Sequence, residues 1–347
     1  MSDKYGNAYG GHLVQGTKVL LTAAGVTGTL NSDYLQKASE ASLDVIENSG
    51  RTLMENYEDI FRGSNNISDE SLIAWRWTVG AQWTTQNSLQ SDLMAEGFDE
   101  FGDLWGGWGG PSADLQDAFG YDVTENPKSR LDKDKRRKAT MMGAGDIYEY
   151  FWRDHDLGNG KKGFDILKFY FDESYNSAAT KEFQGPCGVQ NVKHAYGNNA
   201  DHVAETGISA ARMSYAVATH ILRLADVYLV HAEAEVLQGK ANSATALTAF
   251  NAVRQRAVPS DVPKTSLTFD DVWKERRLEF AGEGDRWYDF VRRAYYDVNA
   301  CIAELTAQRR NAIWNCSGVY KNFYESGGAT WDPTDIQYDD PDNGGTP

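Results

Sequence analysis

Between Gly16 and Phe61 apolar positions recur with helical spacing, and the stretch reads as a helical hairpin. In its second arm Tyr34, Ala38, Ala41 and Val45 follow at steps of four, three and four, which draws one apolar stripe along one face. Asn31 or Ser32 can cap that arm, and the small residues on the stripe would let a neighbouring helix come close. The period then changes. Ile73, Trp75, Trp77 and Val79 alternate with Ala74, Arg76 and Thr78, which predicts a short strand. From Gln82 to about Ser209 long periodic runs disappear and Gly, Asn, Asp and aromatics dominate, so this loop-rich region is where a site is expected. Within it Ser112 opens a short helix carrying Leu115, Ala118 and Phe119, and the Gly-rich flank leaves Trp105 and Trp108 on a pliable backbone.

After Met213 the chain becomes strongly helical. The stretch Ile221 to Gln238 is apolar on nearly every side and should be buried, with Gly239 as its stop. At 100° per residue Arg223, Asp226 and Glu233 fall within about 80° of one another, a single polar stripe on that helix. Ser243 can cap a returning helix with Ala246 and Phe250 spaced as in the second half of a tetratricopeptide unit, but no clean 34-residue period runs along the chain. Thr268 and Asp271 match a capping box opening a third helix that Gly284 can close.

On that third helix Phe269, Val272, Trp273 and Phe280 form an apolar arc about 100° wide with Arg276 near its centre, so Arg276 is expected to be buried. Glu275, Glu279 and Glu283 stand at i, i+4 and i+8, where unpaired like charges repel. They need cations, and Arg223, Arg254, Arg277 and Arg286 are the available ones. Two readings compete. One makes two of these carboxylates the acid and base of a glycosidase. The other, which we favour, makes Arg223, Glu233, Glu275, Arg276, Glu279, Glu283 and Arg286 a structural ion network, because a buried Arg demands a carboxylate and a nearby guanidinium lowers the pKa a general acid needs raised.

Composition narrows the partners. The 347 residues are 41% hydrophobic, enough for a sizeable core, and 34 Lys+Arg against 50 Asp+Glu leave a net charge of −16 that repels nucleic acid and anionic lipid. Ten Trp and 18 Tyr suit neutral partners, sugars above all, as well as ordinary cores. Cys187, Cys301 and Cys316 are too few and too scattered for a disulfide scaffold or a zinc site; Cys301 and Cys316 either pair in an oxidising compartment or remain buried thiols. No apolar run reaches the roughly 20 residues of a membrane span, and Met1 to Gly11 is polar and Gly-rich with no signal-peptide core. No metal site or cofactor is expected, and the closing DIQYDDPDNGGTP reads as a solvated tail without calcium-loop spacing.

The ordered set ILRLADVYLVHAEAE, FNAVRQRA and ERRLEFAGEGDRWYDFVR resembles the C-terminal signature of the SusD/RagB family, written RxAExxLxxAEA, NxVRxRA and ERxxExxxEGxRxxDLxR. Upstream, GHLVQGTKVLL with YLQKASEASLDVIENSG resembles that family's third helix pair, SLIAWRW the strand after it, and PSADLQDAF with DKRRKATM the segments PTxELxDAF and DPRxxAT. The resemblance covers most of Gly11 to Arg293. It implies a mostly α SusD-like fold of tetratricopeptide-like helix pairs with a loop-rich insertion carrying a few short strands. It also implies a non-catalytic, outer-membrane glycan-binding lipoprotein that works with a SusC-like TonB-dependent transporter. Trp83, Trp105 and Trp108 stand in the region of the family's aromatic glycan platform. The first two helix pairs, the lipidated Cys and the usual C-terminal ending have no match, so a shortened chain is expected, with any membrane contact through an anchor this chain lacks. The expected organisation is a helix pair and strand over 1–80, a glycan-binding region over 81–212, the helical signature region over 213–314 and a polar tail over 315–347. A helical protein-interaction scaffold is the remaining alternative.

Overall fold

A computed structural model describes residues 29–80, 87–101, 109–185, 187–309 and 312–340. The helical half is organised around α7 (Leu224–Leu237), which packs against α1 (Ser32–Asn48), α8 (Ala244–Ala257) and α9 (Phe269–Glu279). Burial on most sides explains why LADVYLVHAEAEVL has no single apolar stripe. Ala225, Leu229 and Ala232 of α7 meet Ala246, Phe250 and Val253 of α8 and Val272 of α9 in one apolar cluster. The expected caps are in place: Asn31 accepts from the amides of Asp33 and Tyr34, Ser243 from Ala246, and Thr268 and Asp271 close a reciprocal capping box.

Three local expectations are corrected. The strand-to-helix switch falls at Arg223 and not before Ile221: β8 (Thr219–Arg223) pairs antiparallel with β1 (Ser71–Trp75), and Arg223 sits at the junction. No Ser, Thr, Asp or Asn precedes Leu224, so capping chemistry could not mark the boundary, and the alternation of Thr219, Ile221 and Arg223 merged into the helical run. On α1 the face against α7 is not the Tyr34–Ala38–Ala41–Val45 stripe; Tyr34 is 70% exposed and the buried residues are Ser39 and Ser42. Ser39 Oγ donates to Glu235 of α7 at 2.7 Å, and Ser42 Oγ donates to the Ala38 carbonyl of its own helix at 2.6 Å, so both hydroxyls are satisfied where the helices meet. Gly284, expected to end α9, instead opens α10 (Asp285–Ala307) at φ 95°, and Glu283 lies in the turn between the two helices.

The loop-rich half has its own core. Met94, Phe98, Phe119, Met141, Tyr148, Phe151, Phe164 and Phe169 pack together with Tyr320 and Phe323. Short antiparallel ribbons stiffen it: β2 (Met141–Gly143) with β7 (Val189–Asn191), β3 (Ile147–Tyr148) with β6 (Phe164–Asp165), and β4 (Asp156–Gly158) with β5 (Lys161–Lys162). Small helices α2 (Leu89–Leu93), α3 (Ala113–Phe119), α4 (Arg136–Thr140), α5 (Ile166–Phe171) and α6 (Asn199–Thr206) connect them. The segment expected to trail into solvent folds back. Helix α11 (Ser317–Glu325) buries Val319, Tyr320 and Phe323, and β9 (Ile313–Asn315) pairs with β10 (Gln337–Asp339). All three cysteines are buried free thiols, so Cys301 and Cys316 are not bridged. Residues 1–28, which include the first arm of the predicted hairpin, lie outside the described residues.

Candidate functional site

Trp83, Trp105 and Trp108 all lie outside the described residues. Their flanks are described, and both tryptophan-bearing segments leave from and return to well-bonded backbone. Before Trp83 the Gly80 amide donates to Ser214 Oγ at 3.2 Å; after it Asn87 Nδ2 donates to the Val217 carbonyl at 3.2 Å. The segment 102–108 starts beside Asp99, which accepts from the Phe101 amide at 2.9 Å and from Tyr196 Oη at 3.1 Å. It ends at Gly109, whose carbonyl accepts from Asn191 Nδ2 at 2.9 Å. The same Asn191 amide reaches the Leu93 carbonyl at 3.3 Å. Buried Gln90 ties the two sides together, accepting from the Tyr196 and Gly197 amides and donating to Asp99. Most of these anchors are side chains that bond to residues distant in sequence, which fixes the described flanks in place.

One surface aromatic was not singled out from the sequence. Trp75, on β1, is 63% exposed. Trp77 meets it edge to face, with ring centroids 5.9 Å apart and planes at 86°, and Trp77 Nε1 donates to Thr219 Oγ1 at 2.9 Å. Period-two alternation had marked this strand; the exposure of its indole is a tertiary fact.

The residues of the predicted ion network divide between two clusters. The central one joins both halves of the fold. Arg223 donates to Glu70 at 2.7 Å, Glu279 at 3.0 Å and Glu283 at 2.7 Å. Arg256 joins Glu70 at 2.5 Å to Glu279 at 2.6 Å, and Arg136 of the loop-rich half reaches Asp134 at 2.7 Å, Glu275 at 2.8 Å and Glu279 at 3.0 Å. Lys193 bonds Glu283 at 2.9 Å and Tyr57 Oη at 2.6 Å, and that hydroxyl donates to the Glu279 carbonyl at 2.5 Å. Burial alone would raise the Glu279 carboxyl, but the Arg256, Arg223 and Arg136 guanidiniums hold it well below the usual carboxylate range. Burial likewise opposes ionisation of Glu283, and Arg223 with Lys193 overcome it, holding the group at about 2. At Glu275 burial outweighs Arg136 and Arg254, and its pKa is raised.

Arg276 is buried as expected, in a second cluster with Asp226 at 2.5 Å, Asp289 at 2.9 Å and Glu233 at 4.0 Å; Glu233 also pairs with Arg292 at 2.8 Å. Arg286 joins the edge of this second cluster, 3.9 Å from Asp289. Being at the start of α10, it stacks over Trp273 and pairs with Glu304 at 2.6 Å, too far along the helix to serve Glu275 or Glu279. Sequence reasoning missed Arg136, Arg256, Lys193 and Glu70. The motif pieces DKRRKAT and NAVRQRA contained the two arginines, but helical projection pairs residues only within one element, and these partners stand up to 186 positions apart.

Glu279 is fully buried and its oxygens accept only from guanidiniums, so this carboxylate can neither reach a sugar nor keep a proton for a leaving group at neutral pH. Among the described residues no group of three His, Cys, Asp or Glu is arranged to hold a metal ion, and no helix is long and apolar enough to cross a membrane.

The SusD family model matches residues 43–342. The chain belongs to the SusD family. Its mostly helical architecture agrees with solved structures of that family. The chain is 33% identical over 278 residues to a SusD-like protein of Bacteroides ovatus, an alignment covering 79% of the chain and 44% of that protein. It is 28% identical, with a TM-score of 0.64, to a solved structure in complex with a xylogluco-oligosaccharide, covering 85% of the chain and 54% of that one. A SusD-like carbohydrate-binding protein from Bacteroides fragilis shares the fold at 21% identity and a TM-score of 0.56, covering 88% and 56%. The chain thus spans about half the length of the relatives it matches.

Proposed function

We propose that this SusD-family chain is a non-catalytic binder of oligo- or polysaccharide at the bacterial cell surface, held at the outer membrane by a lipid anchor and passing its ligand to a SusC-like TonB-dependent transporter. The observation that carries the reading is family membership, joined to a relative's structure, at 28% identity, that holds a xylogluco-oligosaccharide. Trp83, Trp105 and Trp108 are the proposed ligand contacts. Supporting them, the described flanks of segments 81–86 and 102–108 are held by Ser214, Asn87, Gln90 and Asn191. An indole lays its apolar face on the C–H face of a pyranose while its N–H donates to a hydroxyl, a match that suits a neutral ligand and an acidic protein. Against the glycosidase alternative, arginines and lysine hold Glu279 and Glu283 ionised, so neither suits a general acid.

Titration of the protein with neutral oligosaccharides, xylogluco-oligosaccharide first, tests the reading through Trp fluorescence and calorimetry. Binding without product release is expected, and the double substitution Trp105→Ala, Trp108→Ala should abolish it. Hydrolysis of the ligand, or undiminished binding by the double variant, would overturn the assignment; an empty glycan panel would favour the protein-scaffold alternative.

A further inference from the structure

Among the described residues, Arg76 and Arg277 are the arginines that make neither a hydrogen bond nor an ion pair. Arg76 stands in solvent, but Arg277 is half-buried in the wall of a cleft of about 810 Å³. That cleft opens at the seam of the fold, with α3 and Lys133 of the loop-rich half on one side and α8, residues 258–264 and α9 on the other. Helical spacing decides which side chains of α9 face it: Asp271, Lys274 and Leu278 follow at i, i+3 and i+7 with Arg277 beside them, while Val272 and Arg276 turn away into the interior. Six carboxylates line the cleft, and each is already held. Arg309 takes Asp114 and Asp117, and Arg136 takes Asp134 and Glu275. Arg254 takes Asp261, and Lys264 takes Asp271. Those pairs use two of the five cations in the lining, which leaves Lys133, Lys274 and Arg277 without an ion pair.

We infer that this cleft binds a small molecule carrying one carboxylate on a neutral polar body, such as a uronate-bearing sugar or a free hydroxy acid. The Arg277 guanidinium offers the carboxylate two parallel N–H donors, and Lys274 and Lys133 flank it from the same helix and from across the cleft. Half-burial strengthens that pairing, because a partly desolvated charge gains more from a partner than one in open water. The volume falls within the roughly 300–1,000 Å³ of small-molecule sites, and Ala118, Val258 and Leu278 give the cleft an apolar part. A single negative charge fits best. A polyanion would meet the six held carboxylates as well as the three unspent cations, whereas a neutral ligand would leave the guanidinium fork to water. The net charge of −16 does not forbid the binding, since it is spread over the molecule and screened within about 8 Å at physiological salt, so contact pairing decides. The inference uses none of the tryptophan-bearing segments and stands whether or not they bind a glycan.

Calorimetric titration tests it with three probes: aldotriouronate, which is one glucuronate on xylobiose; xylotriose, its neutral counterpart; and gluconate, a free hydroxy acid. Each is titrated into wild type, Arg277→Gln, Lys133→Gln and Arg76→Gln, with circular dichroism and thermal melts checking the fold. Wild type should bind at least one of the two carboxylates, more weakly as salt rises. Gluconate binding would show that the carboxylate suffices; aldotriouronate binding without gluconate would tie the site to an acidic sugar. Arg277→Gln should weaken the carboxylate by about tenfold or more, the worth of a charged hydrogen bond, and Lys133→Gln by roughly threefold. Arg76→Gln removes the same charge outside the cleft and should change nothing. The inference falls if wild type binds neither carboxylate, if Arg277→Gln binds them as wild type does, or if Arg76→Gln weakens them as much as Arg277→Gln. Should Arg277→Gln fail to fold, the exposed Lys133→Gln decides, and an unchanged affinity there overturns the site.

Discussion

Replacing Glu279 by Gln removes one charge from the centre of the molecule with almost no change of shape. Five cations (Arg136, Lys193, Arg223, Arg254, Arg256) face six carboxylates (Glu70, Asp134, Asp261, Glu275, Glu279, Glu283) in the central cluster, with Arg254 and Asp261 at its more exposed edge. The substitution takes away the buried charge that Arg136, Arg223 and Arg256 share. Hydrogen bonding fails as well. One Glu279 oxygen accepts from Arg223 and Arg256 and the other from Arg136, so either orientation of the Gln amide points its NH2 donors at a guanidinium. Removing one partner of a buried, hydrogen-bonded ion pair costs about 3–5 kcal/mol, a large part of the roughly 5–15 kcal/mol that holds a domain together. With an m-value of about 3 kcal/mol/M, the urea midpoint should drop by about 1–1.7 M. Equilibrium unfolding followed by Trp fluorescence and circular dichroism measures it. A midpoint within about 0.3 M of wild type at unchanged m would refute the sealed cluster, because only a solvated carboxylate is so cheaply neutralised. The same variant tests chemistry, since a glycan hydrolysed by wild type and spared by Glu279→Gln would make Glu279 a catalytic group.

The other predictions follow from neighbouring sites. Glu279 and Glu283 have folded pKa values below the unfolded carboxylate range, so their contribution is present above about pH 4.3 and is lost as pH falls toward about 2; acid titration of wild type should show stability collapsing across that window. Asp285 has the opposite sign. Burial, with the Glu283 and Asp226 charges adding to it, pushes its carboxyl up to about 6, so the stability it contributes below about pH 3.8 is lost as pH rises through 6. Asp285→Asn should therefore raise the melting temperature at pH 7 and leave it unchanged below pH 4, and a gain of equal size at both would contradict the assignment. Burial raises the thiol pKa of Cys187 and Cys301 to about 11 and of Cys316 to about 12, so a thiol reagent at pH 8 should label none of the three in native protein and all three in urea. Ser39→Leu should over-pack the contact of α1 with α7 and cost about 1–3 kcal/mol, read from a thermal melt; no loss would mean the helices can separate at Ser39.

The order of the helices, their caps and the burial of Arg276 were legible because each is a local matter: a capping residue, a period, a charge at the centre of an apolar arc. Where reading the chain went astray, the deciding partner was distant. The packing face of α1 was placed on its alanines because they are apolar, yet the serines are buried, since Glu235 lies opposite and accepts from Ser39. Arg286 was one of four cations available to the glutamates of α9, but it stacks on Trp273 and pairs with Glu304 of α10 instead. The strand of Trp75 was legible from alternation and its exposure was not, because a period of two reports two faces without saying which is covered. The three tryptophans proposed for the ligand lie outside the described residues, so for them only the anchoring of the flanks is added.

The central cluster has a further meaning for binding. Arg136 stands on α4 and Lys193 just beyond β7, both in the loop-rich half, while Arg223, Arg256, Glu279 and Glu283 come from the helical half. Hydrophobic contact alone would hold two such bodies together but would tolerate sliding, because dispersion is not directional. Charged hydrogen bonds of 2.8–3.0 Å across the seam are directional, and each has a partner only in one alignment. From Lys193 the chain runs directly to Tyr196 and Gly197, whose amides are held by Gln90 beside the flanks of the tryptophan segments. The ions therefore fix how those flanks sit against the helical half. A substitution such as Lys193→Met, which removes the bonds to Glu283 and Tyr57 and keeps the apolar stem, should weaken oligosaccharide binding at temperatures where circular dichroism shows the variant folded. Undiminished binding by the folded variant would sever the link between the buried charges and the binding face.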